Sequence, residues 1–162
     1  NMESETLPAS AERVQRALAA AGLDTRIVQL AEATRTARQA ADALGLDVGQ
    51  IAKSLVFRGT TTGRAVLVIA AGDRRVSEDR IAQLIGEPIE RASPDFVREH
   101  AGFAIGGVAP VAHAQAMTTF VDASLRRFDT VWAAGGTPHC VFPIRPDDLL
   151  QLSGGKEETT DA

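Results

Sequence analysis

The stretch SLVFRGTTTGRAVLVIAA, residues 54–71, decides the fold class. Two apolar runs flank Gly59-Thr60-Thr61-Thr62-Gly63, a loop built of turn formers, so the segment reads as a β-hairpin. The second arm, Ala65 to Ala71, is apolar at every position. That run is strand-sized and reads as the returning strand of the hairpin. One residue just upstream breaks the pattern: DVGQIAKSLVF, residues 47–57, carries Lys53 among Ile51, Ala52, Leu55, Val56 and Phe57. Burying an unpaired cation is unfavourable. Of the 17 basic residues only Lys53 and Lys156 are lysine, so wherever charge alone is wanted the chain has used arginine. A lysine here points to a task for a compact ammonium rather than a planar guanidinium fork.

Outward from the hairpin, helices and strands alternate. Leu7, Ala11, Val14 and Leu18 recur at helical spacing and Gly22 is a natural stop. Thr25 to Leu30 is a short strand candidate. Thr36 caps a helix ending at Gly45, and Asp47 caps one further turn before Lys53. Downstream of the hairpin, Ser77 with Glu78 and Asp79 starts a helix to Gly86, and Ser93-Pro94-Asp95 starts another. Strands follow at Thr118–Asp122, Thr130–Ala134 and Cys140–Ile144, then a helix opened by Pro146. The polar tail after Ser153 is expected to be disordered. These elements predict a single α/β domain over residues 7–155, with 1–6 and 156–162 as flexible ends.

Composition excludes several classes. With 162 residues, 44% hydrophobic and 23% charged, the chain is of globular composition and sized for one core. The net charge of −4 argues against a broad basic face coating nucleic acid, yet leaves room for a local site for one RNA end. No run approaches the roughly 20 apolar residues of a membrane helix, and no secretory leader is evident. With one cysteine, Cys140, the expected location is cytoplasmic. His100, His113 and His139 lack metal-ligand spacing, and Cys140 has no CxxC partner, so no metal or other cofactor is expected. Phosphate-loop, dinucleotide and GxSxG patterns are absent. His139 and Cys140 are adjacent, which on a strand turns them to opposite faces and argues against a nucleophile–base pair.

A second informative stretch is AGFAIGGVAPVA, residues 101–112. Its glycines allow close backbone approach to a ligand and Pro110 fixes the exit. It fits either a tight connection or a main-chain recognition loop.

In order, QIAKSLVF, AGFAIGGVAP, TTFVDASL, VWAAGG and DDLLQL, preceded by ATRTARQAADALGL, resemble the YbaK and prolyl-tRNA-synthetase-associated editing domain family. The resemblance implies a mixed, barrel-like β-sheet flanked by helices. It implies hydrolysis of the ester of a mischarged aminoacyl-tRNA by a free-standing enzyme, with the tRNA acceptor end as partner and prolyl-tRNA synthetase as a further one. It places the family's lysine on Lys53 and its GxxxP loop on Gly106, Gly107, Val108, Ala109 and Pro110. Ser54, after the lysine, and Asp122, matching an acid of a family strand, join the expected substrate-binding set. For Asp122 a helix N-cap is an equally good account. A pocket walled by Val, Ala and Pro favours alanine, serine or cysteine, and a non-catalytic binding module is the alternative.

Overall fold

In the computed structural model, which describes residues 6–162, the hairpin is β2 (Ile51–Gly59) and β3 (Ala65–Ala71). The two pair antiparallel from Ala52↔Ala71 to Arg58↔Ala65. All seven β3 residues are buried, and the alternation of side chains explains why. Leu67, Ile69 and Ala71 face one cluster, while Val66, Val68 and Ala70 face another. Each large side chain removed from water in this way contributes about 1.5–3 kcal/mol.

The remaining strands are β1 (Val28–Gln29), β4 (Ile89–Arg91), β5 (Thr118–Asp122), β6 (Val131–Ala134), β7 (Cys140–Ile144) and β8 (Lys156–Glu158). The helices are α1 (Ala9–Ala20), α2 (Ala37–Leu44), α3 (Glu78–Ile85), α4 (Pro94–Ala101) and α5 (Pro146–Ser153). The sheet runs β1-β7-β6-β2-β3-β5-β8, and β4 also pairs with β2. It is mixed, as expected: β2–β6, β3–β5 and β5–β8 are parallel and the other pairs antiparallel. Val14 and Leu18 of α1, Val97 of α4 and Leu149 of α5 cover one face with Phe103 and Val108. Ile81 of α3 covers the other.

The predicted caps form. Thr36, Ser77 and Ser93 each accept a hydrogen bond from the backbone N–H three residues on, at 3.1 Å. Asp47 heads a 3-10 turn, Val48–Gln50, that runs directly into β2.

Two strands differ from the sequence expectation. β4 lies between Gly86 and Ser93, where no strand pattern is visible. The tail expected to be flexible from 156 to 162 instead supplies β8, parallel to β5 from Phe120↔Lys156 to Asp122↔Glu158, and an isolated bridge between Val76 and Asp161. Polar side chains concealed this order, because main-chain pairing and one buried carboxylate produce it. The flexible N-terminal end expected at 1–6 lies, except for residue 6, outside the described residues.

Candidate active site at a gap in the sheet

Along one edge β2 pairs with β6 only at Ile51 and Ala52, and with β4 only from Phe57 to Gly59. Between these lies a cavity of about 290 Å³. The backbone alternation of β2 shows what faces it. Gly59 donates to Arg64 and Ile51 accepts from Gly72, both on the β3 side, whereas Val56 accepts from Ala92 on the opposite side. Ser54, two residues from Val56, therefore turns its own N–H and C=O into the gap. Its Oγ is also buried, with no hydrogen-bond partner among the described residues. Buried polar groups are normally paired. The Ser54 hydroxyl is thus a buried polar group at the cleft, on a residue whose main chain faces the gap.

Lys53 lines the same cleft, and its Nζ donates to the Arg74 carbonyl at 2.7 Å. That bond leaves two ammonium donors for other work. Burial pushes its pKa below the ordinary lysine value, the charge of Asp73 pulls it back up and that of Arg91 lowers it further. Arg91 and Arg35 stand at the cleft, both exposed, with Arg91 also placed 5.8 Å from the centre of the Phe57 ring. Thr34, Thr36 and Ala37 bring the start of α2 to the wall. Lys53, Arg35 and Arg91 are the charged lining residues; no Asp, Glu or His is among them.

The glycine loop forms the far wall, although only part of it meets the cavity. Gly106, at φ +92°, and buried Val108 line the cleft beside exposed Ile105. Gly107, Ala109 and Pro110 are buried behind them. A Cβ on Gly107 would lie 2.7 Å from Thr137 Cα, so that glycine serves contact with the turn after β6. The Gly107 N–H is used by Ala104, and the Ala109 carbonyl accepts from His113 Nε2 at 2.7 Å. Burial lowers the His113 pKa, which favours the neutral ring despite that hydrogen bond. His113 is a support of the loop that its sequence position did not reveal.

Asp122, expected near the substrate, is not at the cleft. One carboxylate oxygen accepts from the Ser124 N–H and hydroxyl, capping the 3-10 turn Ala123–Arg127. The other accepts from Thr160 N and Oγ1, each at 2.8 Å. Burial pushes its pKa up, but these hydrogen bonds outweigh burial and hold it below the usual value. Its role is the cap that the sequence also allowed, joined to a tether for the C-terminal segment.

Trp132, Ala133, Ala134, Thr137, Pro138 and Cys140 complete the wall and were not foreseen. They come from β6, β7 and their connecting turn, so only the pairing of these strands with β2 brings them to Lys53. Cys140 is fully buried. Among the described residues there is no cluster of three or more His, Cys, Asp or Glu suited to a metal. No helix there is long and apolar enough to cross a membrane.

The fold thus places a lysine-bearing strand at an opening in a mixed sheet, faced by a glycine loop. Residues 31–152 match the aminoacyl-tRNA editing domain, and the chain belongs to that family. A crystal structure of a candidate trans-editing enzyme for prolyl tRNA synthetase superposes with a TM-score of 0.90 at 43% identity, covering 97% of this chain and 99% of that one. The Bacillus subtilis protein YwhH, which is uncharacterised, is 34% identical over 80% of this chain and 82% of its own. EbsC of Enterococcus faecalis, a candidate Cys-tRNA(Pro)/Cys-tRNA(Cys) deacylase, is 24% identical over 75% of this chain and 74% of its own.

Proposed function

We propose that this protein is a free-standing trans-editing deacylase, which hydrolyses the ester linking a small amino acid such as alanine, serine or cysteine to a tRNA-Pro-type acceptor end. One observation carries the proposal. In a chain of net charge −4, the cleft is lined by three cations and no carboxylate. Such a site attracts the polyanionic end of an RNA strand and focuses its field there. The likeness to the solved trans-editing candidate, at 43% identity, supports the trans-editing reading.

The chemistry follows from position. The Ser54 N–H and hydroxyl can grip the aminoacyl group, while Lys53 stabilises charge developing at the ester or holds a terminal phosphate or ribose oxygen. Gly106 and Val108 close the wall around a small side chain. With no Asp, Glu or His in the lining, water is the attacking group, oriented by main-chain groups or by the substrate's ribose hydroxyl. Its proton passes to the departing ribose oxygen as the ester bond breaks, and placement supplies most of the acceleration. Prolyl-tRNA synthetase is the proposed protein partner.

The missing base also favours a second reading, a binding module for aminoacyl-nucleotides. A deacylation panel separates the two: tRNA-Pro, tRNA-Ala and tRNA-Cys charged with alanine, serine, cysteine or proline. The deacylase must discharge at least one small mischarged species and spare prolyl-tRNA. Binding with every ester left intact sinks the enzyme reading in favour of the module.

A further inference from the structure

The turn between β3 and α3, residues 72–77, carries the carbonyl that receives the Lys53 ammonium, that of Arg74. The turn is held from two sides. Arg127 grips Asp73 with two hydrogen bonds, at 2.7 and 2.9 Å. From the other side comes the C-terminal segment. Ser77 N donates to the Thr160 carbonyl at 2.8 Å, Val76 bridges to Asp161, and the Arg74 guanidinium meets Asp161 at 3.3 Å. That segment is anchored in the interior, where Thr160, 1% exposed, gives both its N–H and its hydroxyl to Asp122, 2% exposed. A buried carboxylate satisfied in this way is a fixed point.

We infer that residues 158–161, anchored on Asp122, are a positioning element for Lys53. They hold the Arg74 carbonyl where it fixes the ammonium at the cleft, so Thr160 and Asp161 act through Arg74 without touching the ligand. The reason such a device matters is mechanical. A lysine head on four methylenes has many rotamers, and one strong acceptor restricts them only if that acceptor is itself immobile. The turn is half-buried with Val76 as its one large apolar residue, so the ties from Arg127 and from the C-terminal segment add to what packing supplies.

The effect on turnover rests on the deacylase reading; the effect on the ammonium does not. With two lysines in the chain, Nζ-detected NMR gives two signals, and Lys156, its side chain 75% exposed, is the internal reference. Lys53 hydrogens should exchange about tenfold slower than those of Lys156, the scale of a hydrogen bond from a charged donor. In Asp161→Ala and Thr160→Val that protection should fall away and kcat should drop about tenfold or more, with KM within about twofold. Val14→Ala, in α1, serves as a control that lowers Tm while leaving Lys53 protected. Unchanged protection in both tail variants overturns the inference, as does equal loss in Val14→Ala. If wild-type protein discharges no substrate, the deacylase reading fails and the exchange data still decide this one.

Discussion

Lys53 stood out in the sequence because its neighbours are apolar and the chain otherwise avoids lysine, and the structure gives it one acceptor and a place at the cleft. Lys53→Ala should reduce single-turnover deacylation by about a hundredfold, the scale of losing one contact to developing charge. Lys53→Arg should remain defective while keeping partial tRNA affinity, since a planar fork cannot sit where a compact head donates to Arg74. Near-normal rates in both variants would return Lys53 to a structural role. Its titration gives a second test. Burial lowers its pKa from 10.5, so the folded chain binds this proton less tightly than the unfolded chain. Stability therefore rises with pH from the folded value up to the ordinary one. Urea unfolding across that alkaline window should show the rise in wild type and its absence in Lys53→Met. Ser54 shows where reading by sequence stops. Its resemblance-based role was available, but the unpartnered hydroxyl and the direction of its main chain follow from which strands do not pair beside it, and no local pattern encodes that. Asp122 shows the converse: an acid at a strand end looks the same in sequence whether it faces a ligand or ties down a distant segment.

At the scale of elements, the glycine loop read either as a tight connection or as a recognition loop, and packing divides its residues between cavity and core. Gly106→Ala strains a positive φ, costing about 1 kcal/mol of stability, and places a methyl beside the cavity, so deacylation should fall more than stability does. Gly107→Ala should do the reverse. Its new Cβ meets the backbone of Thr137 at 2.7 Å, a contact that cannot relax by a side-chain rotation. Thermal unfolding and single-turnover rates measured together for the two variants check this crossing; parallel losses would mean the loop is one undivided unit. The hairpin, the capped helices and the central strands were readable because hydrophobic period and cap chemistry are local. β4 and β8 were not, being three residues each and polar enough to pass for connections. Their order comes from partners far along the chain, β2 in one case and β5 in the other.

Across the whole molecule, the carboxylates among the described residues lie outside the cleft, and three cations line it. Deacylation should consequently weaken steeply with added salt, and Arg35→Ala with Arg91→Ala should raise KM more than they lower kcat. Salt-independent KM would remove electrostatics from substrate capture. Cys140 belongs to the wall while lacking a base, so Cys140→Ser should keep turnover within a few-fold; complete loss would instead make the thiol the nucleophile. The final strand has one more consequence, for the physical state of the protein. β8 occupies the outer side of β5, whose residues Thr119 to Asp122 are all buried. Shorten the chain to Gly155, and β5 presents a bare row of amides and carbonyls, a template that another copy can extend. Such a truncated chain should scatter light and sediment as polydisperse aggregates at concentrations where the intact chain stays clear, so that three polar residues at the margin of the sheet act as its selvedge.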